Sequence, residues 1–240
     1  MKTALIIQAR MGSERLPGKV MREVLNRPLL AHLLERMIQV ENVDLIVATT
    51  EDRNDQPIVD LCRSMGVAVF RGDTADVLSR YVKASEGYDT VIRVTGDCPL
   101  LDAEVVEELL DKFRLGKFDY VSNTIKRTYP RGYDVEVLTT EALLRLNKSA
   151  TGADREHVTS YLVSHQDKFS IDQVVRKSDL SSFRLTVDTI EDFELIKRIF
   201  ESLPEKFCLK DVVELLERHP YLKELNEHVK QKDPHDTPAV

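Results

Sequence analysis

The sequence predicts a doubly wound α/β layer: a mostly parallel sheet with helices on both faces. Two observations carry that prediction. Short β-branched apolar runs alternate along the chain with longer stretches of helical periodicity. The runs are continuously apolar rather than alternating, as strands buried on both faces of a parallel sheet must be. With 240 residues and 27.5 kDa the chain can bury one large core, and 42% hydrophobic and 31% charged residues exclude collagenous, low-complexity and disordered classes.

Taken in order, strands are expected at 5–7, 45–47, 67–70 and 91–94, each followed by a helical pattern, at 29–40, 58–65, 77–84 and 105–113. After Asp119 the regularity breaks. A short strand at 120–122, a loop rich in Pro, Gly, Tyr and Arg over 127–133 and an alternating strand at 135–138 suggest an inserted β region. Helical patterns at 141–146 and 155–163 precede a strand near 169–175, a short strand at 184–187 and a helix at 191–202. A last helix, 210–218, ends before Pro220. Residues 1–222 are expected to form a single domain without internal repeat or linker. The polar segment 223–240, with Pro234 and Pro238, reads as a peripheral helix and a loose tail.

A formal net charge of −7 and a pI near 5.5 argue against a nucleic-acid partner, whose phosphates demand a cationic surface. Tyr81, Tyr88 and Tyr120 do not interleave with a cationic run as in a single-strand binding face. Cys62, Cys98 and Cys208 form no CxxC pair, so neither a zinc site nor a disulfide framework is indicated, which suits a reducing compartment. The apolar run 4–7 is closed at once by Gln8 and Arg10, too short for a signal peptide or a membrane span. A cytoplasmic protein with no membrane partner is expected.

Ligands of open α/β sheets bind beyond the carboxyl ends of the strands, which puts the segment after the first strand first in line. It reads Gln8-Ala9-Arg10-Met11-Gly12-Ser13-Glu14-Arg15-Leu16-Pro17-Gly18-Lys19. Its glycines let backbone N–H groups approach phosphate oxygens, and Arg10, Arg15 and Lys19 can offset polyphosphate charge. The spacing of Gly12 and Gly18 and the Val20 after Lys19 exclude a Walker A loop, and there is no GxGxxG. A solvated turn with ordinary surface cations accounts for the charge count equally well.

Two aspartates follow expected strands. Thr95-Gly96-Asp97-Cys98-Pro99-Leu100 places Asp97 at a carboxyl strand end, and Leu185-Thr186-Val187-Asp188-Thr189 does the same for Asp188. Together they can hold Mg²⁺ on a triphosphate, since a hard cation takes carboxylate oxygens. Singly, Asp97 serves as well as an Asx-turn residue before Pro99, and Asp188 as an N-cap for the following helix. Cys98 has no neighbouring base and reads as packing.

These segments resemble a known family. Gln8-Ala9-Arg10 with Ser13, Arg15-Leu16-Pro17-Gly18-Lys19, Gly96-Asp97-Cys98-Pro99-Leu100 and Val187-Asp188-Thr189 with Glu191-Asp192 are similar to the motifs of the 3-deoxy-manno-octulosonate and acylneuraminate cytidylyltransferases. Pro130-Arg131-Gly132-Tyr133-Asp134-Val135-Glu136-Val137 and Arg155-Glu156-His157-Val158-Thr159 resemble the SpsF branch involved in spore coat polysaccharide synthesis. Thr95 and Cys98 stand where the octulosonate enzymes carry Gln and Glu, and Ile190 replaces a Pro.

The resemblance implies a GT-A-like nucleotidyltransferase fold, CTP as donor, an acidic sugar-like acceptor, Mg²⁺ as cofactor and a homodimer formed through the insertion after Asp119. It implies nucleotide contacts from Gln8, Ala9, Arg10, Met11, Gly12, Ser13, Arg15, Lys19, Thr95 and Gly96. Arg10, Lys19 and Asp97 are the expected catalytic residues, and Asp97 and Asp188 the metal ligands. On the acceptor side, Arg131 and His157 are expected to receive a carboxylate or phosphate, and Asp134 and Glu136 to bond hydroxyls. Asp134 and Glu136, two apart in a strand, equally suit a solvated edge, and His157 a structural role. A glycosyltransferase using a nucleotide sugar and a non-catalytic nucleotide-binding protein are the alternatives, with pyrophosphate release as the discriminating observation.

Overall fold

A computed structural model describes residues 1–231, so 232–240 of the expected tail, with Pro234 and Pro238, lie outside the described residues. Nine strands and nine α-helices are described among them. The first half alternates as expected: β1 (Thr3–Gln8), the two-residue strands β2 (Glu23–Val24) and β3 (Arg27–Pro28), α1 (Leu29–Met37), β4 (Asp44–Thr50), α2 (Gln56–Ser64), β5 (Ala68–Gly72), α3 (Val77–Ala84), β6 (Thr90–Thr95) and α4 (Ala103–Leu115). The second half adds β7 (Tyr120–Ser122), β8 (Glu136–Thr139), α5 (Thr140–Ser149), α6 (Ser160–Ser164), β9 (Ile171–Gln173), α7 (Ile190–Ser202), α8 (Leu209–Arg218) and α9 (Tyr221–Glu224). The expected boundary at residue 222 falls inside α9, whose Leu222 is buried in the main core. No helix among the described residues is long and apolar enough to cross a membrane.

Seven strands form one sheet in the order β5-β4-β1-β6-β8-β7-β9. β1, β4, β5 and β6 are mutually parallel, β7 and β9 pair in parallel, and β8 runs antiparallel to both β6 and β7. Side chains alternate across the strands, which decides what covers each face. Leu5 and Ile7 of β1 join the core built with α1, α2, α4, α7 and α8, whereas Ala4 and Ile6 join the core built with α3, α5 and α6. Each fully buried Leu or Ile contributes about 1.5–3 kcal/mol. The mostly parallel, two-faced α/β layer with an inserted β region is therefore the observed fold.

Three local expectations fail. The helix expected at 155–163 is replaced by a 3₁₀ turn, Gly152–Arg155, and the short α6, because the buried Val158 adopts φ +30° and interrupts the helix. Segment 184–187 forms no ladder, only an isolated bridge between Arg131 and Arg184. β8 does not alternate: Glu136, Val137 and Leu138 are all buried, the glutamate because Arg93 faces it on β6. A hairpin, β2–β3, was not expected; Leu25 and Asn26 turn it with φ +50° and +61°.

Candidate active site

The chain winds from β1 outward to β4 and β5, then returns to β6 on the other side of β1. Such a switch opens a crevice beyond the carboxyl ends of the two central strands. Gln8 and Thr95 end those strands as cross-strand neighbours, and the Gly96 N–H donates to the Gln8 carbonyl at 2.8 Å. A Cβ on Gly96 would stand 3.0 Å from both Ala9 Cβ and the Gln8 oxygen, so the two loops come this close only with glycine. A cleft of about 420 Å³ lies above them.

The first loop folds back on itself: the Met11 carbonyl accepts from the N–H groups of Ser13 and Gly18, both at 2.9 Å. Gly18, at φ +67°, turns the chain into a 3₁₀ turn, Lys19–Met21, and Leu16 and Val20 are buried beneath. Asp55, just before α2, fixes the loop from below. Its buried carboxylate accepts from the Met11 N–H at 2.7 Å, the Thr49 hydroxyl at 3.0 Å, the Thr50 N–H at 3.1 Å and the Thr50 hydroxyl. Burial alone would raise the Asp55 pKa, but these donors hold it below its ordinary value.

The two aspartates meet. The Thr186 hydroxyl and the Val187 N–H donate to the Asp97 carbonyl at 3.3 and 2.9 Å, which lays the segment before α7 against the β6 loop. Asp188 then emerges beside Asp97. Lys19 Nζ lies 2.6 Å from Asp97 Oδ2 and 2.8 Å from Asp188 Oδ1. Arg15 and Arg184 reach Asp188 Oδ2 at 3.1 and 2.8 Å. Burial disfavours the Lys19 ammonium, yet the two carboxylates outweigh it and hold its pKa above the ordinary value. Burial likewise pushes the Asp188 carboxyl up, and Lys19, then Arg15 and Arg184, bring it below the usual range.

The N-cap of α7 is Thr189, not Asp188: Thr189 and Asp192 form a capping box, leaving the Asp188 carboxylate to the cleft. Asp192, fully buried, also accepts from the Asp188 N–H at 2.9 Å, from Arg184 Nε at 2.8 Å and from Asn226 Nδ2 at 2.8 Å. Asp97 gives its carboxylate to Lys19, and no backbone N–H among the described residues donates to it as in an Asx turn. Two hard carboxylates converging on a point already held by a cation suit Mg²⁺, which takes one or two protein carboxylates and completes its shell with phosphate and water. No group of three or more metal-ligating side chains occurs among the described residues.

Gln8, Ala9, Arg10, Gly12, Ser13, Arg15, Lys19, Thr95, Gly96, Asp97, Asp188, Arg131, Asp134 and His157 all line this one cleft. Arg10 pairs with Glu156 at 3.4 Å, and Asp134 with Arg127 in a two-pronged contact. The Arg131 side chain has neither ion pair nor hydrogen bond among the described residues; its backbone bonds Phe183 and Leu185. Gly132, at φ +100°, permits this approach, since a Cβ there would lie 2.4 Å from the Leu185 oxygen. His157 Nε2 is buried and has no hydrogen-bond partner among the described residues. Cys98 is buried, and desolvation, reinforced by Asp97, raises its thiol well above the ordinary value, as a packing residue allows.

Two expected site residues stand apart. Met11 works through its backbone beneath the loop rather than in the lining. Glu136, expected at hydroxyls of an acceptor, is 5% exposed, ion-paired with Arg93 and hydrogen-bonded by the Tyr120 hydroxyl, and does not line the cleft. Its burial raises the carboxyl, but Arg93 and the Tyr120 hydroxyl bring it below its ordinary value. Sequence reasoning missed Arg93 and Asp55. Arg93 lines the cleft from inside an apolar strand, and Asp55 sits in a polar stretch with no motif around it.

The chain is similar to known proteins along most of its length. The model of the cytidylyltransferase family matches residues 4–233. The chain is 33% identical to spore coat polysaccharide biosynthesis protein SpsF of Bacillus subtilis, over 90% of this chain and 94% of that protein. A cytidylyltransferase structure from Leptospira borgpetersenii superposes with a TM-score of 0.89 at 33% identity, covering 97% of this chain and 99% of the other. The structure of CMP:2-keto-3-deoxy-manno-octonic acid synthetase, complexed with CTP, shares the fold with a TM-score of 0.65 at 20% identity, over 84% of this chain and 99% of that one. Matched along nearly its whole length by the family model, the chain belongs to the cytidylyltransferase family.

Proposed function

We propose that the protein transfers a cytidylyl group from CTP to a carboxylate-bearing, sugar-acid-like acceptor and releases pyrophosphate. The observation that carries this reading is the meeting of Lys19, Asp97 and Asp188 beside the first loop, three residues drawn from distant parts of the chain. The acceptor class is taken from the name of the octonic acid synthetase, and a setting in polysaccharide synthesis from that of SpsF.

An acceptor oxygen attacks the α-phosphorus in line and pyrophosphate leaves, so no covalent enzyme intermediate is needed. Asp97 and Asp188 would hold Mg²⁺, which when bound draws charge from the phosphate oxygens. Arg10 and Arg15 grip the triphosphate from the loop, and Lys19 offsets the charge that develops on the leaving group. Loss of one such cation costs roughly 10²-fold or more in rate. Arg131, whose guanidinium has no partner among the described residues, receives the acceptor carboxylate in the planar fork geometry such groups favour. The protein acts as a homodimer joined through the segment after Asp119; sedimentation velocity tests the oligomeric state.

The experiment is a thermal shift series with CTP, UTP, ATP and GTP, each with and without Mg²⁺, followed by pyrophosphate release with a panel of sugar acids. A CTP-selective, Mg²⁺-dependent shift and pyrophosphate release are expected. Release of nucleoside diphosphate from a nucleotide sugar would make the protein a glycosyltransferase instead, and no shift with any nucleotide would overturn the enzymatic reading.

A further inference from the structure

We infer that Lys19 is a placeholder for the metal: in the ligand-free protein its ammonium occupies the cation position between Asp97 and Asp188, so that a divalent ion enters only when nucleotide phosphates draw the lysine away. This rests on the reading of Asp97 and Asp188 as metal ligands and adds to it an order of events.

At the position between the two carboxylates the geometry makes the two cations mutually exclusive. Lys19 Nζ touches one oxygen of each carboxylate, at 2.6 and 2.8 Å. Mg²⁺ binds oxygen at about 2.0–2.1 Å, so an ion bridging those same two oxygens would fall on the ammonium itself. The remaining oxygen of Asp188 offers no second seat, because Arg15 at 3.1 Å and Arg184 at 2.8 Å already hold it. The free protein is thus electrostatically complete at this point without a metal. Its lysine is 13% exposed and carries two carboxylate partners.

A metal arriving alone would have to break both ion pairs and leave a largely buried ammonium with no counter-charge. A metal arriving with a triphosphate gives the ammonium new anionic oxygens in the same cleft, which Lys19 lines. The four-carbon lysine stem, a flexible carrier of a compact charge, suits that exchange better than a rigid guanidinium. Metal and nucleotide affinities are then linked, each strengthening the other, through a side chain rather than through a domain movement.

The test is Mn²⁺ binding without nucleotide, followed by electron paramagnetic resonance or calorimetry on the full chain. Lys19→Met should bind Mn²⁺ at least tenfold more tightly than the wild type and gain thermal stability from it, while Lys19→Arg, which keeps a cation there, should bind as weakly as the wild type. The double variant Lys19→Met with Asp97→Asn should lose the gain. Wild-type binding as tight as that of Lys19→Met would overturn the inference and leave the metal ligands standing. Tight binding retained when Asp97→Asn is added would overturn the ligand assignment, and the inference with it.

Discussion

The Met11 N–H donates to Asp55 Oδ1 at 2.7 Å, although 44 positions separate the two residues in the chain. Asp55 also satisfies Thr49 and Thr50, so it joins the phosphate-suited loop to the end of β4 through one buried carboxylate. Asp55→Ala leaves those donors without an acceptor, each buried unsatisfied group costing about 1–3 kcal/mol. A lower Tm and a higher KM for CTP are expected. The folded carboxyl lies below its ordinary value of 3.8, so its contribution is full above that pH and fades as pH falls through the folded value. The Tm gap between wild type and variant should therefore narrow only in strong acid, which a pH series of melting curves checks.

Gly96→Ala places a methyl group 3.0 Å from Ala9 Cβ and from the Gln8 carbonyl, at the seam where β1 and β6 end. Relief requires the two loops to part, at a cost of about 1–3 kcal/mol. Because Asp97 and the first loop then separate, turnover should fall further than stability does, as parallel measurements of kcat and Tm would reveal.

Glu136, buried, and Arg93, partly buried, form an ion pair across β8 and β6. Truncating one partner strands the other, with a cost of about 3–5 kcal/mol, whereas replacing both with apolar residues is often neutral. Glu136→Leu is expected to be severely destabilised in urea, and Glu136→Leu with Arg93→Met to recover most of the loss. A double variant no more stable than the single one would show that the pair does not act as a unit.

Arg131→Ala removes the cleft guanidinium without touching the backbone bonds that its main chain makes to Phe183 and Leu185. The acceptor KM should rise at least tenfold while the KM for CTP and the Tm stay near wild type. A variant altered in stability alone would remove Arg131 from the acceptor site.

Much of this was legible in the sequence where one physical signal dominates. The continuous apolar run Leu5–Ile7 and the helical period over Val77–Ala84 sit in the structure as read, because burial on two faces and on one face leave distinct patterns. The site's residues converge for a similar reason: strand ends, glycines and charges are all local features. What failed depends on long-range pairing. Glu136 reads as an edge residue until Arg93 faces it, and the 155–163 pattern reads as helical because nothing in it announces the positive φ of the buried Val158, beside which Arg155 pairs with Asp76 and Glu156 with Arg10. Asp55 carried no local mark, since its role exists only once the loop at Met11 folds over it.

The bond from the Val187 N–H to the Asp97 carbonyl also bears on how the protein is made. A ribosome that has delivered β1, the first loop and β6 has produced one carboxylate of the pair and the lysine that neutralises it, yet the second carboxylate arrives only with segment 186–188. Nascent or truncated chains lacking that segment therefore carry only one of the two carboxylates that meet Lys19.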